Sequence, residues 1–156
     1  MAVQAFATTE LGADYRGTPV NDHGKLRLQF FALPATTVAG DATSTVDLCR
    51  LPSGKVRVLP NLSRITNSAF GAARVLDIGH TAYQSRDDNA VAYEPANPNA
   101  LANDIDVAAA HASGVLGTVD KYDFYSKSGV LIQAVVAGGT IPIGATLTGY
   151  IAYIYE

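Results

Sequence analysis

The chain is made of short runs in which apolar and polar residues alternate, each closed by Gly, Pro, Asn or Asp. A period of two places successive side chains on opposite faces, so these runs read as half-buried strands and not as helices. Between Lys25 and Leu33, the residues Leu26, Leu28, Phe30 and Ala32 fall on one face, and Lys25, Arg27 and Gln29 on the other. The first face is expected to line a core and the second to meet water. Pro34, which cannot donate to a ladder, ends the run.

The same logic runs along the rest of the chain. Residues 43–50 are rich in β-branched side chains, and residues 55–59 alternate again after Leu51-Pro52-Ser53-Gly54, which predicts a hairpin. A helical turn is expected within residues 61–70. Residues 73–83 predict a strand bent at Gly79, and the polar turn Ser85-Arg86-Asp87-Asp88-Asn89 hands over to a return strand at residues 90–93. Residues 94–103, with Pro95 and Pro98 among asparagines, read as a surface loop, and residues 104–111 as a strand. Lys127-Ser128-Gly129 turns residues 121–126 into the nearly continuous apolar run 130–137, which suits a central strand. Residues 138–144 form a turn and residues 145–155 a last strand. In that strand Leu147, Ile151, Tyr153 and Tyr155 share one face, and Thr146, Thr148, Tyr150 and Ile154 the other. Both faces are apolar enough to be covered.

About eight strands, with turn signals every 8–12 residues, predict an all-β fold: an antiparallel two-sheet β-sandwich, jelly-roll-like. One domain over residues 1–156 accommodates them, with residues 1–20 as an extended arm and both ends held by the fold or by a neighbour.

Composition narrows the function. Only 16% of residues are charged, against roughly 25% in an average soluble domain. A monomer covers itself with charge, so this shortage points to surface covered by other protein. A net charge of −3 with dispersed Lys and Arg supplies no footprint for nucleic acid. No run of about 18 strongly apolar residues exists to span a membrane. The start, Met1-Ala2-Val3-Gln4-Ala5-Phe6, lacks the positive and apolar regions of a signal peptide. Cys49 is the single cysteine, which excludes an intrachain disulfide and reads as core filling in a chain folded in a reducing cytoplasm.

Catalytic, cofactor-binding and metal-binding residues are expected to be absent. His23, His80 and His111 form no H-x-H or H-E-x-x-H pattern, and His23 sits in turn chemistry, Asn21-Asp22-His23-Gly24. Asp77 and His80 would project from opposite faces of a strand. Pro142-Ile143-Gly144 matches a cupin motif in part, but no imidazole follows it. Asp87-Asp88-Asn89 and Asn103-Asp104-Ile105-Asp106 lack the glycine and distal glutamate of a calcium loop. No serine stands in a G-x-S-x-G elbow, and no phosphate-cradling glycine loop occurs.

Three stretches resemble small virion proteins of tailed bacteriophages. They are Arg74-Val75-Leu76-Asp77-Ile78-Gly79-His80-Thr81-Ala82-Tyr83 with the Asp-rich turn after it, Asn99-Ala100-Leu101-Ala102-Asn103-Asp104-Ile105-Asp106-Val107, and the ending from Gly129-Val130 through Ala137-Gly138-Gly139-Thr140-Ile141-Pro142 to Gly149-Tyr150. Together they span roughly the C-terminal half. The resemblance implies a non-enzymatic head decoration (cement) protein on the capsid exterior, made in the host cytoplasm. Its implied partner is the major capsid protein, and its implied state a homo-oligomer, with a trimer as the first guess. Residues 94–103 and one or both terminal segments are the expected contacts. The alternatives are another virion component (tail, fibre or adaptor subunit) or a carbohydrate-binding β-sandwich module.

Overall fold

The computed structural model describes residues 5–7, 25–85, 93–116 and 123–156. His23, most of the 1–20 arm and Asp87-Asp88-Asn89 lie outside the described residues. Strands run in the order β1 (Ala5–Ala7), β2 (Leu26–Leu33), β3 (Thr45–Leu51), β4 (Gly54–Val58), β5 (Arg64–Asn67), β6 (Val75–His80) and β7 (Tyr83–Gln84). They continue with β8 (Tyr93–Glu94), β9 (Asn97–Asp106), β10 (His111–Val115), β11 (Asp123–Ser126), β12 (Val130–Ala137) and β13 (Leu147–Tyr155). A five-stranded sheet, ordered β1-β3-β12-β6-β9, faces a six-stranded sheet, β10-β5-β13-β4-β11 with β2 on β13. The fold is the expected all-β sandwich.

Each sheet is organised around one late strand. β12 lies between β3 and β6 and alternates strictly, with Val130, Ile132, Ala134 and Val136 fully buried. In the second sheet β13 pairs with β2 along one side, and with β5 and β4 in succession along the other. β4 and β5 are thus one lane interrupted by a single 3-10 turn at Pro60–Leu62. The turn is stitched into the ladder. The Ala152 N–H donates to Ser63 Oγ at 2.9 Å, and the Leu59 N–H to the Ala152 carbonyl at 2.8 Å. The hydroxyl replaces the backbone acceptor that the bulging chain takes away, so no buried donor is stranded.

The helical turn expected in residues 61–70 is this short one, beginning at Pro60 and giving way to β5. The hairpin expected between residues 43–50 and 55–59 does not form. β3 belongs to one sheet and β4 to the other, so Leu51-Pro52-Ser53-Gly54 is a corner between layers, with Gly54 at φ 105°. A hairpin turn and a sheet-crossing corner need the same residues, and the distant partners β12 and β13 decide between them. β3 also holds a bulge at Leu48: Asp47 pairs with Gln133 and Cys49 with Ile132. The extra residue lets Leu48 and Cys49 both enter the core.

The expected surface loop at residues 94–103 is a strand for most of its length. β9 begins at Asn97 and buries Ala100, Leu101 and Ala102 completely. Its irregular composition is accommodated by β6. A Cβ at Gly79 would stand 1.9 Å from the Asn97 carbonyl oxygen, so only glycine lets β9 approach. The ladder shifts register on either side of the Ile78–Ala102 pair, and Gly79 lies within the second shift. The bend expected at Gly79 is this irregularity, and β6 ends at His80. Tyr83 and Gln84 pair with Glu94 and Tyr93, whereas residues 90–92 of the return strand expected at 90–93 lie outside the described residues.

Candidate functional site: the outer face of the second sheet

β2 contains the feature that sequence reasoning inverted. Leu26, Leu28 and Phe30, assigned above to the core, are 55%, 42% and 41% exposed, whereas Phe31 and Leu33 are 1% and 4% exposed. The reason lies opposite, on β13. Phe31 pairs directly with Gly149, and a Cβ at that glycine would lie 2.8 Å from Phe31 Cζ. The ring fills the space that the missing side chain leaves, which fixes Phe31 inward and its neighbour Phe30 outward. Arg27 and Gln29 follow Phe31 onto the inner side. Arg27 is registered against Tyr153 and hydrogen-bonds its hydroxyl. Burial raises the Tyr153 pKa above its ordinary value, and the nearby Arg27 charge opposes that rise.

The outer face reads row by row across the paired strands. Leu26 stands beside Ile154, Leu28 beside Ala152, Phe30 beside Tyr150, and Ala32 beside Thr148. The Phe30 and Tyr150 rings lie 5.5 Å apart at an interplanar angle of 59°. The result is an exposed apolar row on β2 backed by the half-buried Tyr150 and Ile154, with Ala152 buried between them. Beyond Tyr150 the next lane brings Arg64 opposite Tyr150, and Thr66 opposite Thr148. Phe30, Tyr150, Arg64, Thr66 and Thr148 line an open groove of about 370 Å³ over Gly149. Arg64 Nη1 donates to the carbonyls of Asn61 and Ser63 at 2.8 and 2.9 Å, which holds its guanidinium over the turn.

Charges further across the face neutralise one another. Lys55 and Arg57 pair with Glu156, and Arg57 with Asp123. The face is therefore divided into an apolar half on β2 and β13 and an ion-paired half on β4 and β11. The other sheet turns outward a more polar surface. There Gln133 donates to Asp47 at 2.7 Å, and Asp77 accepts the Asp104 backbone N–H at 2.8 Å.

The residues weighed above for chemistry are scattered. His80 is buried, with Nδ1 3.0 Å from the Thr81 carbonyl oxygen and its ring edge-on to Tyr83 and Phe124. His111 is exposed at the start of β10. The Asp104 carboxylate accepts from the Asn103 side-chain amide, and Asp106 accepts the Ala108 N–H. Cys49 is in the core. Among the described residues no three His, Cys, Asp or Glu side chains gather as a metal site needs. The tilt of the Phe30–Tyr150 pair gives no flat aromatic platform of the kind on which sugar rings stack. What the outer face offers is contact area, with aromatic and arginine side chains of the type that anchor protein interfaces.

No protein-family model and no curated protein matches the chain. Solved structures do. One similar chain belongs to the cyanophage Pam1 capsid asymmetric unit: it is 15% identical, with a TM-score of 0.60, and the match covers 95% of this chain and 94% of that one. Another belongs to the capsid of Ralstonia phage GP4: it is 19% identical, with a TM-score of 0.63, and the match covers 90% of this chain and 92% of that one. At these identities the likeness is one of fold, and it runs nearly end to end in all three chains.

Proposed function

We propose that this protein is a non-enzymatic structural component of a phage virion, a head decoration protein that binds the outside of the major capsid lattice and stabilises it. The observation that carries the reading is the apolar row Leu26, Leu28 and Phe30 beside Tyr150, held outward by the Phe31–Gly149 fit. A soluble monomer gains nothing by showing this row to water, whereas a lattice-bound protein recovers its burial on docking. The end-to-end likeness to chains in two phage capsids supports the setting. The occupant of the face in this reading is a surface segment of the major capsid protein. Its chemistry would be apolar, with a carboxylate for Arg64, the charge that lines the groove. A homo-oligomer, with a trimer the first stoichiometry to test by sedimentation, belongs to the same reading. Several weak contacts made at once bind far more tightly than one.

The test is occupancy on heads prepared without this protein. A Leu28→Asp/Phe30→Asp double variant is expected to keep its fold and lose most of its binding. Because both side chains already face outward, its circular dichroism should match that of the parent. Full occupancy by the folded variant would refute the role of this face. Particles that carry the protein on tails and not on heads would refute the decoration reading itself.

A further inference from the structure

One strand of the first sheet stands apart from the rest. β1 runs parallel to β3, with Ala5 beside Thr45, Phe6 beside Val46 and Ala7 beside Asp47. Every other ladder among the described residues is antiparallel. A strand of 3 residues, in the less stable of the two arrangements, is weakly held. Its effect lies in what it covers.

A sheet edge presents unpaired N–H and C=O groups on which another chain can pair. In the first sheet the strands at risk are β9 and β3. β9 is obstructed by its own sequence: Pro98 lacks a donor, the ladder with β6 shifts register twice, and Asp104 stands at φ 54°. The far part of β3 is obstructed as well. The bulge at Leu48 disturbs its edge, and the exposed Arg50 places a charge beside it.

From Thr45 to Asp47, β3 has no such defence. These residues pair regularly with Val135, Ala134 and Gln133 of β12, and the Asp47 carboxylate accepts from the Gln133 side-chain amide. They are the residues that β1 covers.

The same stretch names what would pair there if β1 were withdrawn. Two copies meeting antiparallel at Val46 would set Val46 against Val46, and Thr45 of each against Asp47 of the other. That ladder is self-complementary and opposes no like charges. It needs the outward backbone groups that β1 occupies, so the two pairings exclude each other.

We infer that β1 is a guard strand: it fills the regular stretch of the β3 edge and keeps a second copy of this chain from pairing there. The inference is independent of the docking face, which lies on the other sheet.

Sedimentation velocity and amide hydrogen exchange test it on two variants, a deletion of residues 1–7 and the full-length double variant Ala5→Pro/Phe6→Pro. Of two consecutive strand residues one turns its N–H toward the neighbouring strand, so the proline pair removes a donor from the ladder. Both variants are expected to fold and to associate, their mean sedimentation coefficient rising with concentration while that of the parent stays constant. In dilute solution the Thr45–Asp47 amides should exchange about tenfold faster than in the parent, and they should slow again as the variant associates. Folded variants that sediment like the parent at every concentration would overturn the guard. Association that leaves Thr45–Asp47 exchange fast would overturn it too, because the copies would be pairing elsewhere. Loss of the fold in both variants would show that β1 is part of the framework and not a guard.

Discussion

Phe30 and Phe31 are chain neighbours with the same side chain and opposite surroundings, so truncating each to alanine reads the phase of β2 directly. Phe31 is 1% exposed and packed over Gly149. Losing a buried phenylalanine costs about 3–5 kcal/mol, because the transfer energy goes and a cavity stays. In a chain of this length each kcal/mol moves Tm by roughly 2–4 °C, so Phe31→Ala should lower it by roughly 6–20 °C. Phe30 is 41% exposed, which leaves just over half of its surface covered. Full burial of a phenylalanine is worth about 1.5–3 kcal/mol, so Phe30→Ala should cost about 1–2 kcal/mol, or roughly 2–8 °C. The still exposed part is what docking would bury. At about 0.6–1.2 kcal/mol per copy, its removal should weaken capsid binding roughly three- to eightfold. Thermal unfolding of both variants, followed by circular dichroism, with head occupancy measured alongside, checks all of this. Equal losses of Tm, or a larger loss from Phe30→Ala, would show that the row faces the core after all and would remove the basis for a docking face.

Three further outcomes follow from the packing. Ser63→Ala should destabilise the protein by about 1–3 kcal/mol in urea unfolding, because it strands the buried Ala152 N–H that Ser63 Oγ now accepts. Gly79→Ala should do more than its one methyl suggests. The new Cβ meets the Asn97 carbonyl oxygen and Pro98 backbone, so β9 must move away, and loss of amide protection at Leu101 and Ala102 is the readout. Tyr153 sets an alkaline limit. Its folded-state pKa is raised by burial, so the native protein holds the phenolic proton longer than the unfolded chain does. That contribution is complete below the ordinary value of roughly pH 10 and is lost as pH climbs through the raised one. Tyr153→Phe should therefore flatten the fall in urea midpoint above roughly pH 10, and an unchanged slope would argue against it.

Sequence period and turn chemistry made much of the sandwich legible. β12 was readable as a central strand because Val130 to Ala137 is apolar but for Gln133, and Lys127-Ser128-Gly129 does turn into it. β13 was readable as covered on both sides. β9 was not, because prolines and asparagines outweigh Ala100-Leu101-Ala102 in any local count. Its pairing depends on a glycine some twenty residues earlier, whose contribution is empty space. That Ala-Leu-Ala triad between polar flanks was the available signal.

The candidate face was illegible for a deeper reason. Alternation fixes that two rows of a strand point in opposite directions, but it leaves open which row is in. The usual tie-breaker assigns the apolar row to the core, and this holds wherever the outer face meets water. Between Leu26 and Leu33 both rows hold large apolar residues, so the choice passes to the partner strand, and Gly149 takes Phe31. An apolar row held outward therefore looks like a core row in sequence. Only the packing of the second row separates them. An alternating strand whose supposedly wet row ends in Phe31 and Leu33 is where such a surface should be sought, and a glycine opposite is the mark that decides its direction.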